Sequence, residues 1–254
     1  MLIDTHCHIH ESDYPLPIED VMTRAYKNDV EKLICVGTDA KSSYKAVTFA
    51  HQYDNVWASL GIHPHETVTA TQEQLKELHE LAQEPQVVAI GEIGLDYHYA
   101  HSPKSRQIEL LHAQIELALT HKLPIIFHVR SAFEDFWPIF DRYEGTIKGV
   151  LHSFTDNQEN LDEALARGLF IGVNGISTFT KDEAQKQVFA SIPLENLLLE
   201  TDAPFLTPVP KRGTINEPAF VRYVAEHIAV QKGITLAQVA EATTRNATRL
   251  FSLK

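Results

Sequence analysis

The sequence predicts an α/β protein of the (β/α)8 TIM-barrel class with one additional C-terminal helix. Three observations carry this expectation. Apolar runs of about five residues recur along the chain, each followed by an amphipathic stretch. The runs are apolar throughout instead of alternating, which implies parallel strands covered on both faces. The residues that close them are histidines and carboxylates, whereas an open dinucleotide-binding sheet usually has a glycine-rich first turn.

In chain order, Leu2, Ile3 and Thr5 suit a strand over 2–6, and an amphipathic helix is expected near 17–29. Apolar runs at 32–38 and 56–62 enclose a helix near 40–53. Thr71 and Gln74 form a capping-box pattern for a helix near 71–83, ahead of a strand at 87–92. A long helix near 104–122 precedes the strand 124–128, and a helix near 132–143 precedes 148–152. Thr155 with Gln158 and Thr180 with Glu183 are read as caps for helices near 156–167 and 181–190, on either side of the strand 169–173. The strand 196–202 and a helix near 217–231 complete the eight units. A last helix near 235–251, capped by Thr235 and Gln238, is surplus to them. No composition shift or linker interrupts residues 1–254, so a single domain is expected.

A hydrophobic content of 44% with 22% charged residues is that of a soluble globular chain. No apolar run reaches the roughly 20 residues a membrane span needs. The N-terminus carries no targeting pattern, and Cys7 and Cys35 read as small core residues, so a cytoplasmic, monomeric protein without a disulfide framework is expected. The net charge of −12 argues against a non-specific nucleic-acid coat, though not against a nuclease whose bound cations neutralise phosphate locally.

The polar strand ends converge. Side chains alternate along a strand, so His6 and His8 share a face and can chelate one divalent ion. Glu92, His128 and His152 each follow an apolar residue by two, and Ser59, Gly61 and His63 share a face, as do Leu198, Glu200 and Asp202. All are expected at the C-terminal mouth, where barrel active sites lie. Three carboxylates there would raise one another's pKa without a cation between them. Imidazole and carboxylate donors suit zinc or manganese, with magnesium a third choice. His65, His98 and His10 are candidates for substrate contact; His51, His79, His112, His121 and His227 fall on helices, outside the site.

The chain resembles, over its whole length, the TatD family of metal-dependent deoxyribonucleases within the amidohydrolase superfamily. The motifs that carry this are Ile3-Asp4-Thr5-His6-Cys7-His8, Gly61-Ile62-His63-Pro64-His65, Gly91-Glu92-Ile93-Gly94-Leu95-Asp96, His128-Val129-Arg130, Glu200-Thr201-Asp202-Ala203-Pro204 and Asn216-Glu217-Pro218. His10 and Ile215 depart from the family pattern. The resemblance implies two divalent metal ions, one on His6 and His8 and one on His128 and His152. Glu92 would bridge them, and Asp202 would complete the first site and orient the attacking water. His63 and Glu200 would assist catalysis, and Arg130 and His65 would bind substrate. DNA is then the expected substrate, cut at its phosphodiester bonds. An esterase, an amidase or an aminoacyl-tRNA deacylase would use the same metals on a carbonyl. A binding protein with a structural metal is disfavoured, because such sites are closed by their ligands.

Overall fold

The computed structural model describes residues 1–99, 101–143 and 145–254. It has the (β/α)8 fold. Among the described residues, eight strands are ordered as they occur in the chain: β1 (Leu2–Cys7), β2 (Val30–Val36), β3 (Val56–Leu60), β4 (Val87–Asp96), β5 (Ile125–Arg130), β6 (Gly149–Leu151), β7 (Phe170–Val173) and β8 (Leu197–Leu199). The helices are α1 (Ile18–Lys27), α2 (Ala40–Ala50), α3 (Gln72–Leu81), α4 (Lys104–His121), α5 (Phe133–Asp141), α6 (Gln158–Ala166), α7 (Ile176–Phe179), α8 (Glu183–Ser191), α9 (Val221–Lys232) and α10 (Leu236–Phe251). Among the described residues, no helix is long and apolar enough to cross a membrane.

The chain divides into two compact units, one of residues 1–35 and 153–254 and one of residues 36–152. In the first, β1 pairs in parallel with β2, and β7 with β8. Just past β8, Ala203 forms a parallel bridge to Cys7 of β1. Cys7 and Cys35 are cross-strand partners and free buried thiols, their sulfurs 4.0 Å apart. In the second unit β3, β4, β5 and β6 pair in sequence, all parallel. β1 and β4 are buried along their whole length, as strands covered on both faces should be.

Two of the four expected capping boxes form, at Thr71 with Gln74 and at Thr235 with Gln238. The other two are corrected. Asn157 caps α6 by accepting from Asn160 N, and Asp182 caps α8 by accepting from the amides of Ala184 and Gln185. Asparagine and aspartate one residue before the helix supply a better-placed acceptor than the threonines two residues earlier. Four strands end sooner than expected: β2 at Val36, β3 at Leu60, β6 before His152 and β8 before Glu200, so His63, His152, Glu200 and Asp202 stand on the segments that follow. β4, by contrast, runs on to Asp96, and the short helix α7 was not anticipated.

Candidate metal centre

Each unit gathers one cluster of nitrogen and oxygen donors. In the first, the alternation of β1 turns His6 and His8 to one side, with their Nε2 atoms 3.2 Å apart. Asp202 Oδ1 lies 3.6 Å from the former and 3.3 Å from the latter. Backbone pairing brings these together: Asp202 N donates to His6 O, and His8 N to Ala203 O, both at 2.8 Å. Asp202 itself adopts a left-handed φ of 59°, a conformation that aspartate tolerates better than most residues. Asp4, on the same alternating face of β1, locks the turn from inside. Its carboxylate accepts from Thr201 N at 2.9 Å and Thr201 Oγ1 at 2.6 Å. Burial pushes its pKa up, against the pull of those bonds. Asn216 Nδ2 donates to Thr201 O and Phe205 O, tying the two ends of the turn, and Glu217 receives Arg24 in a bidentate pair.

In the second unit, Glu92 is the centre. Its Oε1 is 2.7 Å from His128 Nδ1, 3.5 Å from His63 Nε2 and 3.8 Å from His152 Nε2. Burial pushes His63 down to about 4, outweighing the pull of Glu92. His128 moves the other way: burial favours its neutral form, but hydrogen bonds with Asp96 and Glu92 prevail and raise its pKa. Asp96, at the end of β4, is fully buried. Its Oδ2 meets His65 Nε2 at 2.9 Å and His128 Nε2 at 3.1 Å, while its Oδ1 accepts from the amides of His98 and Tyr99. Burial alone would raise this carboxyl, but the bonds from His128, Tyr99 and His65 hold it below the usual carboxylate range. β4 and β5 meet closely here. Gly94 pairs with His128, and a Cβ on Gly94 would stand 1.8 Å from His128 O.

Residues 3–252 match the sequence model of the family described as TatD related DNase. The chain belongs to the TatD family. It is 42% identical to the metal-dependent hydrolase YabD of Bacillus subtilis over 255 residues, covering all of both chains. It is 34% identical to the 3′-5′ ssDNA/RNA exonuclease TatD of Erwinia tasmaniensis, covering 99% of this chain and 100% of that one. The crystal structure of YjjV, a TatD homologue of Escherichia coli K12, superposes with a TM-score of 0.93 at 29% identity, covering 100% of this chain and 98% of that one. The protein is therefore a metal-dependent hydrolase of the TatD family.

Among the residues expected to form the TatD site, His6, His8 and Asp202 come together, as do His63, Glu92, His128 and His152. His65 joins the second group through Asp96. Glu200 is buried and directs Oε1 to Ser153 N at 2.6 Å and Asn174 Nδ2 at 3.4 Å. Arg130 ends β5, exposed, with its guanidinium 4.7 Å from the centre of the Tyr99 ring. His10 is enclosed, its side chain 0% exposed with Nε2 3.4 Å from Glu11 Oε1. Asp4 and Asp96 are further site residues, beyond those expected from the sequence. The signal was present, since Asp4 alternates with His6 and His8, and Asp96 with Glu92, on strands otherwise apolar. The donor chemistry fits divalent ions. In the first unit the imidazoles of His6 and His8 turn toward Asp202 Oδ1, and in the second the donor atoms of His63, Glu92 and His128 lie within 4.8 Å of one another, the donor set of zinc, manganese and related ions.

Proposed function

We propose that this TatD protein is a divalent-metal-dependent nuclease that hydrolyses phosphodiester bonds of single-stranded nucleic acid, DNA foremost. The observation that carries the reading is the pair of donor clusters together with an exposed arginine at the end of β5. His6, His8 and Asp202 would hold one ion. Glu92, His128 and His152 would hold a second. When bound, such ions lower the pKa of water and offset charge on phosphoryl oxygens.

The chain's own groups do the rest. Asp202 orients the attacking water and takes its proton at Oδ1. Asp96 fixes the ring of His128, so that its orientation is set before substrate arrives. Arg130 pairs with a nonbridging oxygen, which suits a planar guanidinium. The relative named as a 3′-5′ ssDNA/RNA exonuclease, matched over the full chain, supports the same substrate class.

The test uses metal-loaded protein on single-stranded oligonucleotides. Arg130→Ala should lower cleavage by roughly 10²-fold, the scale for one preorganised charge-stabilising group, with metal content unchanged. Glu92→Gln should reduce occupancy of the ion assigned to Glu92, His128 and His152 by metal analysis. Wild-type protein that cuts no oligonucleotide, yet hydrolyses a neutral ester at a rate indifferent to Arg130, would move the assignment to acyl transfer.

A further inference from the structure

Two tyrosines follow Asp96, and they are used differently. Tyr97 donates its hydroxyl to Asp135 Oδ2 at 2.8 Å and carries the Lys104 ammonium 3.9 Å from its ring centre, so it is tied into the helices behind it. Tyr99 is 52% exposed, and its hydroxyl has no hydrogen bond among the described residues. Its backbone is nevertheless held. Asp96 Oδ1 accepts from Tyr99 N at 3.0 Å and from His98 N at 2.9 Å, while Oδ2 of the same carboxylate meets His128. One buried carboxylate thus anchors both a ring of the donor cluster and the turn that presents Tyr99.

Tyr99 lies among further flat groups. The His101 ring is nearly parallel to it, with planes 17° apart and centroids at 5.8 Å. The rings of His98 and His65 stand edge-on, at 4.8 and 5.6 Å. The Arg130 guanidinium sits against the ring at 4.7 Å. An exposed aromatic side chain on a pinned backbone loses little freedom when a second flat group settles on it. A cation beside it suits a ligand that joins a π-face to an anion.

We propose that Tyr99, extended by His101, is a stacking subsite for one base of a single-stranded nucleic acid, with Arg130 taking the phosphate of the same strand. This rests on the nuclease reading and deepens it. Stacking accepts any base, because every base has a π-face, so the subsite confers strand binding without sequence preference. It reads the base and not the sugar, and so treats DNA and RNA alike.

The test uses the full chain loaded with manganese and ten-nucleotide dT and U strands, with a single abasic nucleotide moved through each position. In wild type, abasic replacement at one position should lower kcat/KM by about tenfold, the scale of one stacked base. Tyr99→Leu should cut the intact strand about tenfold more slowly and be insensitive to that abasic position, and Tyr99→Phe should restore the wild-type pattern. A strand carrying 2-aminopurine at that position adds a binding readout: its fluorescence should be quenched by wild type and by Tyr99→Phe, and not by Tyr99→Leu. If wild type binds and cuts the strands while the abasic scan is flat and Tyr99→Leu matches it, the stacking inference is overturned and the nuclease reading stands. If wild type neither binds nor cuts them, both fall together.

Discussion

The approach of β4 to β5 at Gly94 sets up a sharp test of how the fold supports the site. Gly94 has a φ of 152°, a region open almost only to glycine, and faces the carbonyl of His128. In Gly94→Ala the new Cβ would lie 1.8 Å from His128 O and 2.8 Å from His128 C. Relief requires one strand to move by more than an ångström. The backbone strain costs about 1–3 kcal/mol and the overpacking about 1–3 kcal/mol, together about 2–6 kcal/mol. Against a typical stability of about 5–15 kcal/mol the fold should survive. The His128 ring should not keep its place, because its 2.7 Å contact with Glu92 Oε1 has no slack for such a shift. Urea unfolding should therefore show a loss in this range, and metal analysis a loss of the ion assigned to Glu92, His128 and His152. Gly168→Ala is the control. It also has a positive φ, of 73°, but its Cβ would meet nothing within 4 Å, so it should cost only about 1 kcal/mol and leave metal content alone. A Gly94→Ala protein within 0.5 kcal/mol of wild type (about the spread of a neutral surface change), with full metal content, would refute the reasoning.

Three further outcomes are expected. Chelation should abolish hydrolysis while circular dichroism stays native, because β1 and β4 are buried along their lengths by apolar packing independent of the ions; loss of secondary structure on chelation would make the ions structural. Asn157→Ala should destabilise the protein by about 1 kcal/mol in thermal unfolding and Thr155→Ala by far less, since the former caps α6, and equal effects would contradict that cap. Burial lowers the pKa of His227 in the folded state. Stability should then fall as pH drops below the unfolded value of about 6.5, where the unfolded chain takes the proton more readily, and His227→Gln should flatten that part of the pH profile. A wild-type and a variant profile that run parallel between pH 7 and 5 would rule this out.

Much of this protein was determined by local sequence alone. The apolar runs specified eight strands, because a strand covered on both faces has no polar positions to spare. Alternation placed His6 with His8, and the run of strand ends singled out Glu92, His128, His152 and Asp202, since few buried positions carry ionisable groups without a use. What the sequence left open depends on distant segments meeting. Asp4 reads as one more polar residue on β1 until Thr201, 197 positions away, donates both its amide and its hydroxyl to it. Asp96 reads as a residue beyond the expected strand 87–92 until β4 runs on to it and it meets His65, His128 and the amides of His98 and Tyr99 together. The caps of α6 and α8 moved for a related reason: Thr155 and Thr180 fit the pattern, but where each helix starts was decided by the geometry of the preceding turn. The enclosure of His10 and the exposure of Tyr99 were likewise decided by packing, because burial depends on what the rest of the chain lays over a residue and not on its type.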